Sequence, residues 1–548
     1  MPVVKKQKAH SIRQHMAWFH TWFGLFIGFL LFAVFWMGTL TVFDKEFDRW
    51  MNPESRSIAG ECCTLSPQQL ETVLMKAREL APESENIRLR LPTERTPMTL
   101  IRIVEPDRTL KAYFMDPDTG KVVSNEHTLG GSGFFFPFHY KFNIAWNNVG
   151  YFLLGIAGLA MMALLISGIV IHRKLLAEFF LFRPNKHTVR SMLDLHNLSS
   201  VVALPFHFLI TFTGLLIFFS IYFPWATLAA FDGDKAASQK AMSGFLNMPP
   251  SGFVEDSEQQ LAALKSVPAL VQAREIAWSQ ALGETARADS INIRNLGDSN
   301  ATLEIRRVFP ERSISMSTHA DTMLLHTGEL LHAHEPKPIK GFTHWINGLH
   351  FIQFDHTALR VLYVVGGLLG CIMIHTGFLF WLESRRVQHH KKKLPGFTVV
   401  QALTVGGTLG MMIATAAYLV ANQLLPNHLE NRATAETWVF YGVWVLSIVW
   451  AFVSAFRHQN LQNQAEAHRS SQWLPPTVVF TALCALAWLL NQINTGGLVQ
   501  AMAQGEMNSL AIDIGLMLMV ASGVFTAHKL SVSATAKYAE PSEVGQCH

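Results

Sequence analysis

The sequence predicts an all-α polytopic membrane protein: eight transmembrane helices, a pseudo-twofold duplicated four-helix core, and two small α+β insertions on the exported side. Three observations predict it. Half of the 548 residues are hydrophobic and only 15% are charged, where a soluble protein carries about 25%. Eight apolar runs approach the roughly 20 residues that a spanning helix needs. A histidine followed by a glycine 18 residues later recurs in two of those runs.

The runs are 20–43, 149–171, 199–223, 359–381, 398–425, 438–456, 475–491 and 509–528, the seventh being the shortest. The first is too long for a signal-peptide core and reads as an uncleaved anchor. Basic residues set the orientation. Lys5, Lys6, Lys8 and Arg13, then Arg173, Lys174, Arg183, Lys186 and Arg190, then Arg385, Arg386, Lys391, Lys392 and Lys393 mark three alternate connections as cytoplasmic. The connections 426–437 and 492–508 carry only Arg432. Both chain ends are therefore expected in the cytoplasm, with the chain in the inner membrane of a bacterium.

The expected organisation is 1–43, cytoplasmic terminus and first span; 44–138, a periplasmic domain; 139–231, second span, basic loop and third span; 232–340, a second periplasmic domain; 341–390, fourth span; 391–530, four further spans; and 531–548, a cytoplasmic tail. In the first exported stretch Ser66-Pro67 opens a helix through about Leu80 by hydroxyl capping and a pre-set φ. Strands are expected near 87–91, 98–104 and 109–115, with a tight turn at Asp116–Gly120 leading into Lys121–Val123. The second stretch reads as a helix near 257–282 and strands near 289–308.

The repeat gives four histidines a chemical meaning. His20 precedes Gly38, and His196 precedes Gly214, by 18 residues each; His139 precedes Ser167-Gly168, and His350 precedes Thr376-Gly377, by 28 and 26. A twofold axis through the bundle brings His20 opposite His196 on the inner side and His139 opposite His350 on the outer side. Facing helices supply two axial ligands to a haem in this way. Two haem b groups are the expected cofactors, with these histidines on the haem irons. His350 precedes Arg360 by ten residues, about 15 Å of straight helix, so either the outer segment dips inward or His207 or His375 replaces a ligand. Gly24, Gly38, Gly155, Gly168, Gly214, Gly366, Gly367 and Gly377 are expected to admit close helices or a flat macrocycle. Arg13, Arg173, Arg190, Arg360 and Arg385 are candidate propionate partners.

Other chemistries lack support. The five cysteines, among them the adjacent Cys62-Cys63 and the terminal Cys547, form no metal or disulfide framework. Gly406–Gly410 lies within a membrane run with no strand before it, so no nucleotide loop is read there. No nucleic-acid-binding stripe appears. The histidines His428, His458, His468 and His528 lie at loops or helix ends, and the last four helices read as auxiliary.

Phe19–Gly24, Asp194–His196, the Tyr113–Val123 segment, Ser167-Gly168 and Thr376-Gly377 together resemble the PepSY-associated transmembrane family over roughly residues 10–390. The first exported stretch is similar to a PepSY domain; the second is at best a diverged copy. Members of that family include iron-regulated inner-membrane proteins and dihaem reductases of ferric siderophores. The resemblance implies an oxidoreductase of that kind, with a ferric siderophore or chelate as partner outside. Electrons would come from membrane quinol or a separate cytoplasmic reductase. Two other classes stand beside it: a metal or haem transporter using His319, His326, His332, His334, His344, His350 and His356, and a non-enzymatic membrane anchor for partner-binding domains.

Overall fold

The computed structural model describes residues 11–57, 65–104, 110–123, 127–172, 183, 188–225, 229, 231–234, 251–252, 256–308, 314–316, 318–334, 338–392, 394, 396–459, 467–503 and 507–535. Cys62-Cys63, Arg173, Lys174, Lys186, Lys393 and Cys547 lie outside the described residues.

Helix α1 (Ile12–Thr41) crosses the bundle and is followed by the short α2 (Asp44–Met51). Ser66 then caps α3 (Pro67–Leu80): its hydroxyl accepts from the Gln69 amide, and the Gln69 side chain accepts from the Ser66 amide. Strands β1 (Asn86–Arg90), β2 (Thr99–Val104), β3 (Leu110–Met115) and β4 (Val122–Val123) follow. Gly120, at φ +68°, closes the turn before β4, a conformation that glycine adopts without steric cost.

The chain returns through α4 (Gly130–Lys141) and α5 (Val149–Ile171). Helices α6 (Thr188–Val202) and α7 (Leu204–Ile217) form one bent pair, at 62°. The sequence suggested a single span from 199; Pro205 in the first turn of α7 has no N–H to give to the preceding helix, and the axis breaks there. Helices α8 (Phe219–Tyr222) and α9 (Ser257–Leu282) precede strands β5 (Ala288–Arg294), β6 (Thr302–Val308), β7 (Thr318–Leu324) and β8 (Leu330–His334). Then come α10 (Pro338–Phe351), α11 (Thr357–Lys392), α12 (Phe397–Leu403), a π-turn (Thr404–Leu409), α13 (Gly410–Leu424), α14 (Arg432–Gln459), α15 (Ala467–Thr495), α16 (Gly497–Ala503) and α17 (Met507–Thr535).

Among the described residues, seven helices are long and apolar enough to cross a membrane, and the bent α6–α7 pair makes up to eight. This is a multi-pass membrane protein.

The two insertions were expected to be separate. Instead they share one eight-stranded antiparallel sheet, ordered β4-β3-β2-β1-β5-β6-β7-β8. The join is β1 on β5, with Ile87 opposite Ile293 and Leu89 opposite Ile291, all four buried. Helices α3 and α9 cover the sheet with Leu70, Val73, Leu74, Leu264, Val267 and Val271 in a common core. Each such side chain contributes about 1.5–3 kcal/mol on burial, so neither half has a complete core without the other.

The last helices are no loose appendix. Phe134 of α4 stacks on Tyr418 of α13 at 4.6 Å, and Phe138 meets Phe440 at 5.9 Å. Trp50 donates to Asp513 at 3.0 Å, Arg56 to Asn491 at 2.9 Å, and Thr128 to Glu436 at 2.6 Å. Asp513 of α17, buried in the bundle, is thus a hydrogen-bond anchor for α2.

Candidate functional site

The rings of His20 on α1 and His196 on α6 lie with centroids 6.3 Å apart, at 81°. Those of His139 on α4 and His350 on α10 lie 6.1 Å apart, at 26°. An imidazole nitrogen binds a first-row metal at about 2.0–2.1 Å, so two rings sharing one metal have centres about 6 Å apart.

The second pair forms because the straight helix assumed above does not exist. Phe142, Asn143, Asn147 and Asn148 all take positive φ, which breaks the chain between α4 and α5. Ile352, at φ +54°, does the same between α10 and α11. Both short helices fold back, α4 along α1 and α10 along α7. The pair borders an apolar cavity lined by Val34, Phe35, Leu154, Phe206, Ile210 and Phe218, among others.

Hydrogen bonding fixes the tautomer of each ring. His196 Nδ1 lies 2.7 Å from the Met373 carbonyl and His139 Nδ1 lies 2.9 Å from that of Val34, so both nitrogens donate. His20 Nδ1 meets Ser167 Oγ at 3.0 Å, and that hydroxyl already donates to the Leu164 carbonyl. His350 Nδ1 meets Thr213 Oγ1 at 3.0 Å, and that hydroxyl donates to Leu209. Every one of the four therefore donates from Nδ1 and keeps its Nε2 lone pair, the form in which histidine ligates a metal.

Each ring also rests on a glycine of another helix. A Cβ at Gly38 would lie 2.7 Å from His139, and one at Gly214 would lie 2.8 Å from His350. At Gly168 and Gly377 it would lie 3.4 and 3.3 Å from His20 and His196. The four glycines seat imidazoles.

Residues 17–384 match the family described as the PepSY-associated TM region, a stretch that contains all four histidines. The chain belongs to that family. It is also similar to an uncharacterised protein of Pseudomonas aeruginosa, 24% identical over 304 residues, which are 51% of this chain and 70% of that protein.

The alternates in this PepSY-associated protein differ from the four. His207, fully buried between the pairs, points Nε2 at the Gly366 carbonyl at 3.2 Å, the reverse tautomer, and packs edge-on to Phe35. His375 faces away from both pairs, toward Thr408 and Trp473. Neither joins a facing pair among the described residues. Nor do the histidines of 319–356 gather; among the described residues no group of three or more metal-ligating side chains occurs, although His332 and His334 lie 6.1 Å apart on β8.

The arginines have other work. Arg360 pairs with Glu46 and lies over the Phe43 ring at 4.8 Å. Arg13 donates to the Ile171 carbonyl, Arg190 pairs with Asp194, and Arg385 lies over Trp381. Of the other proposed glycines, Gly24 meets Leu164, Gly155 meets Tyr222, Gly366 meets Phe206 and Gly367 meets Thr39.

Sequence reasoning missed the roof over the second pair. Arg95, 4% exposed, descends from the Thr93–Thr96 turn and donates to Glu46, Asp44 and the carbonyls of Val42 and Ile352. Burial pushes the Glu46 carboxyl up, but Arg95 and Arg360 outweigh it and hold it below the usual range. Asp48 accepts from the Ser132 amide and hydroxyl, at 2.9 and 2.5 Å, and so secures the first turn of α4. Also missed were the Nδ1 acceptors. A signal existed: Ser167-Gly168 and Thr213-Gly214 each put a hydroxyl immediately before the glycine that seats the ring.

Proposed function

We propose that the chain is a transmembrane oxidoreductase that uses two haem b groups to reduce ferric iron held by a siderophore or other chelate. The observation that carries this reading is the paired geometry: two couples of histidines at 6.3 and 6.1 Å, each ring with Nδ1 committed and Nε2 available. His20 and His196 would hold one haem on the basic-loop side, and His139 and His350 the other beneath the sheet. Haem bound in this way supplies reversible one-electron chemistry at its iron.

The protein's own residues account for the rest. Hydrogen bonds from Nδ1 orient each imidazole and raise its basicity as a ligand. Glycine seats at 38, 168, 214 and 377 set how far each ring enters the bundle. Phe35, Phe206 and Phe218 exclude water from the second pair. Ferric iron is the substrate. Siderophore oxygens are hard ligands that suit Fe(III) better than Fe(II), so a single electron loosens the chelate. In this reading the sheet lies in the periplasm, both termini lie in the cytoplasm, and the two halves descend from one duplicated unit. The reciprocal seating of histidines on glycines and the β1–β5 join both support the duplication.

The test is optical and functional. Purified protein should be red, with b-type bands and about two haems per chain by pyridine haemochrome, in keeping with two bis-histidine sites. His20→Ala or His139→Ala should leave about one. Either change should abolish reduction of a ferric chelate on the sheet side of sealed vesicles. A folded, colourless protein that takes up no added haem would refute the proposal.

A further inference from the structure

His375 stands apart from the four paired histidines. Helix α11 presents the Met373 carbonyl and Gly377 to His196 on one side, and His375 to the π-turn on the other. His375 Nδ1 lies 3.1 Å from Thr408 Oγ1, whose own proton goes to the Thr404 carbonyl. Nδ1 must therefore donate, and Nε2 carries a lone pair with no hydrogen-bond partner among the described residues.

A second polar group is left over nearby. Gln472, 2% exposed, accepts from Gln401 through its amide oxygen, while its Nε2 has no partner. Its chain neighbour Trp473 stands edge-on to the His375 ring at 5.5 Å. Gln401, Thr404 and Thr408 follow one another along one face of α12 and the π-turn, and all are buried. An unpaired amide donor inside a membrane bundle costs several kcal/mol, and π-turns recur at functional sites. A basic nitrogen and an unsatisfied donor therefore flank a polar stripe within membrane-length helices.

We propose that this cluster binds the head group of a membrane para-hydroquinone, the electron donor for the function proposed above, on which this inference rests. The stripe from Gln401 to Thr408 rises about 10 Å. The two para oxygens of a quinone are about 5 Å apart, so the head group can engage a polar group at each end through hydrogen bonds of about 2.9 Å. His375 Nε2 accepts the proton of one hydroxyl; the Gln472 amide donates to the opposite oxygen. Oxidation of one hydroquinone to quinone releases two protons and two electrons. One proton goes to His375 and the other to solvent at the basic-loop face. The electrons would leave singly, across the thickness of α11, about 10 Å, toward His20 and His196, the residues that would hold the nearer haem. Two ferric chelates are reduced for each hydroquinone consumed.

The test uses full-length protein in nanodiscs. A photoreactive azidoquinone should label peptides within 397–409 or 467–477, and excess ubiquinone should suppress the labelling. Duroquinol should reduce the haem in the wild type. His375→Ala and Gln472→Leu should each slow that reduction at least tenfold, and Thr408→Val should slow it too, with haem content and dithionite-reduced spectra unchanged. Labelling elsewhere, or rates within twofold of wild type in all three variants, would overturn the site. A preparation without haem that still labels at these peptides would refute the reductase reading and leave the quinone site standing.

Discussion

The imidazole of His20 stands at 81° to that of His196, whereas His139 and His350 are only 26° from parallel. Ring orientation is set by hydrogen bonds to the bundle, so it should survive in the loaded protein. Bis-histidine haems with perpendicular rings give a strongly anisotropic low-spin ferric signal, and near-parallel rings give a rhombic one. Electron paramagnetic resonance should therefore resolve two species. His196→Ala should remove the anisotropic one alone, and His350→Ala the rhombic one alone. Loss of both from either change would mean that the pairs are not independent.

Glycine seats make an asymmetric prediction. Alanine at Gly38 or Gly214 would bring a methyl to 2.7 or 2.8 Å from a ring that its Nδ1 hydrogen bond holds in place. Overpacking of this kind costs about 1–3 kcal/mol, and the ring has to move. Gly38→Ala and Gly214→Ala should lower the haem held by the second pair. Alanine at Gly168 or Gly377 meets its ring at 3.4 or 3.3 Å and should be better tolerated. Haem stoichiometry and the two resonance signals provide the measurement.

The pairing of histidines was legible because it rests on periodicity: His20 with Gly38 and His196 with Gly214 repeat an 18-residue spacing. Helix α3 was legible through Ser66, Pro67 and Gln69, which cap it by local hydrogen bonds. The dips that carry His139 and His350 inward were not. They depend on Phe142 and Ile352 in left-handed backbone, a conformation bulky side chains disfavour and that only the surrounding contacts enforce. The shared sheet was equally hidden, because the β1–β5 register joins residues about 200 positions apart and neither strand alone marks its partner. Strands β7 and β8 were missed outright; His319, Asp321, His332 and His334 break any apolar alternation there.

Arg95 fastens the sheet to the membrane bundle, so its removal should be costly. Arg95→Ala would leave Glu46 and Asp44 buried, with Arg360 as the remaining arginine on Glu46. Breaking a buried pair by deleting one partner costs roughly 3–5 kcal/mol. Thermal unfolding should shift down accordingly, and protease should cut near 42–46 or 352–356 before the bundle unfolds. An unchanged melting curve would show that the sheet is held elsewhere.

Asp48 gives a pH signature. Burial raises its carboxyl to about 6 in the folded protein, against an ordinary 3.8. A raised acid favours folding while protonated, so its contribution is fully present below about pH 4 and is lost as pH rises through about 6. Asp48→Asn lacks this titration. The variant should therefore gain stability relative to wild type between pH 4 and 7, and a difference in melting temperature that stays flat over that range would contradict the assignment.

Truncation after residue 395 separates the two pairs. All four paired histidines precede that point, and from sequence alone both sites should survive. The structure argues otherwise for one of them. His139 rides on α4, whose Phe134, Phe135 and Phe138 pack on Tyr418 and Phe440. The approach to α4 is tied down by Thr128 on Glu436, and α2 by Trp50 on Asp513 and the Met51 carbonyl on Asn422. Removing those partners exposes three aromatic rings and leaves buried polar groups unpaired. His20, His196, Gly168 and Gly377 lie on α1, α6, α5 and α11, and their ring contacts and Nδ1 acceptors all precede residue 395. A chain ending at 395 should accordingly keep about one haem, with the anisotropic signal intact and the rhombic signal gone. Retention of both signals would show that α4 holds His139 in place without the helices that follow.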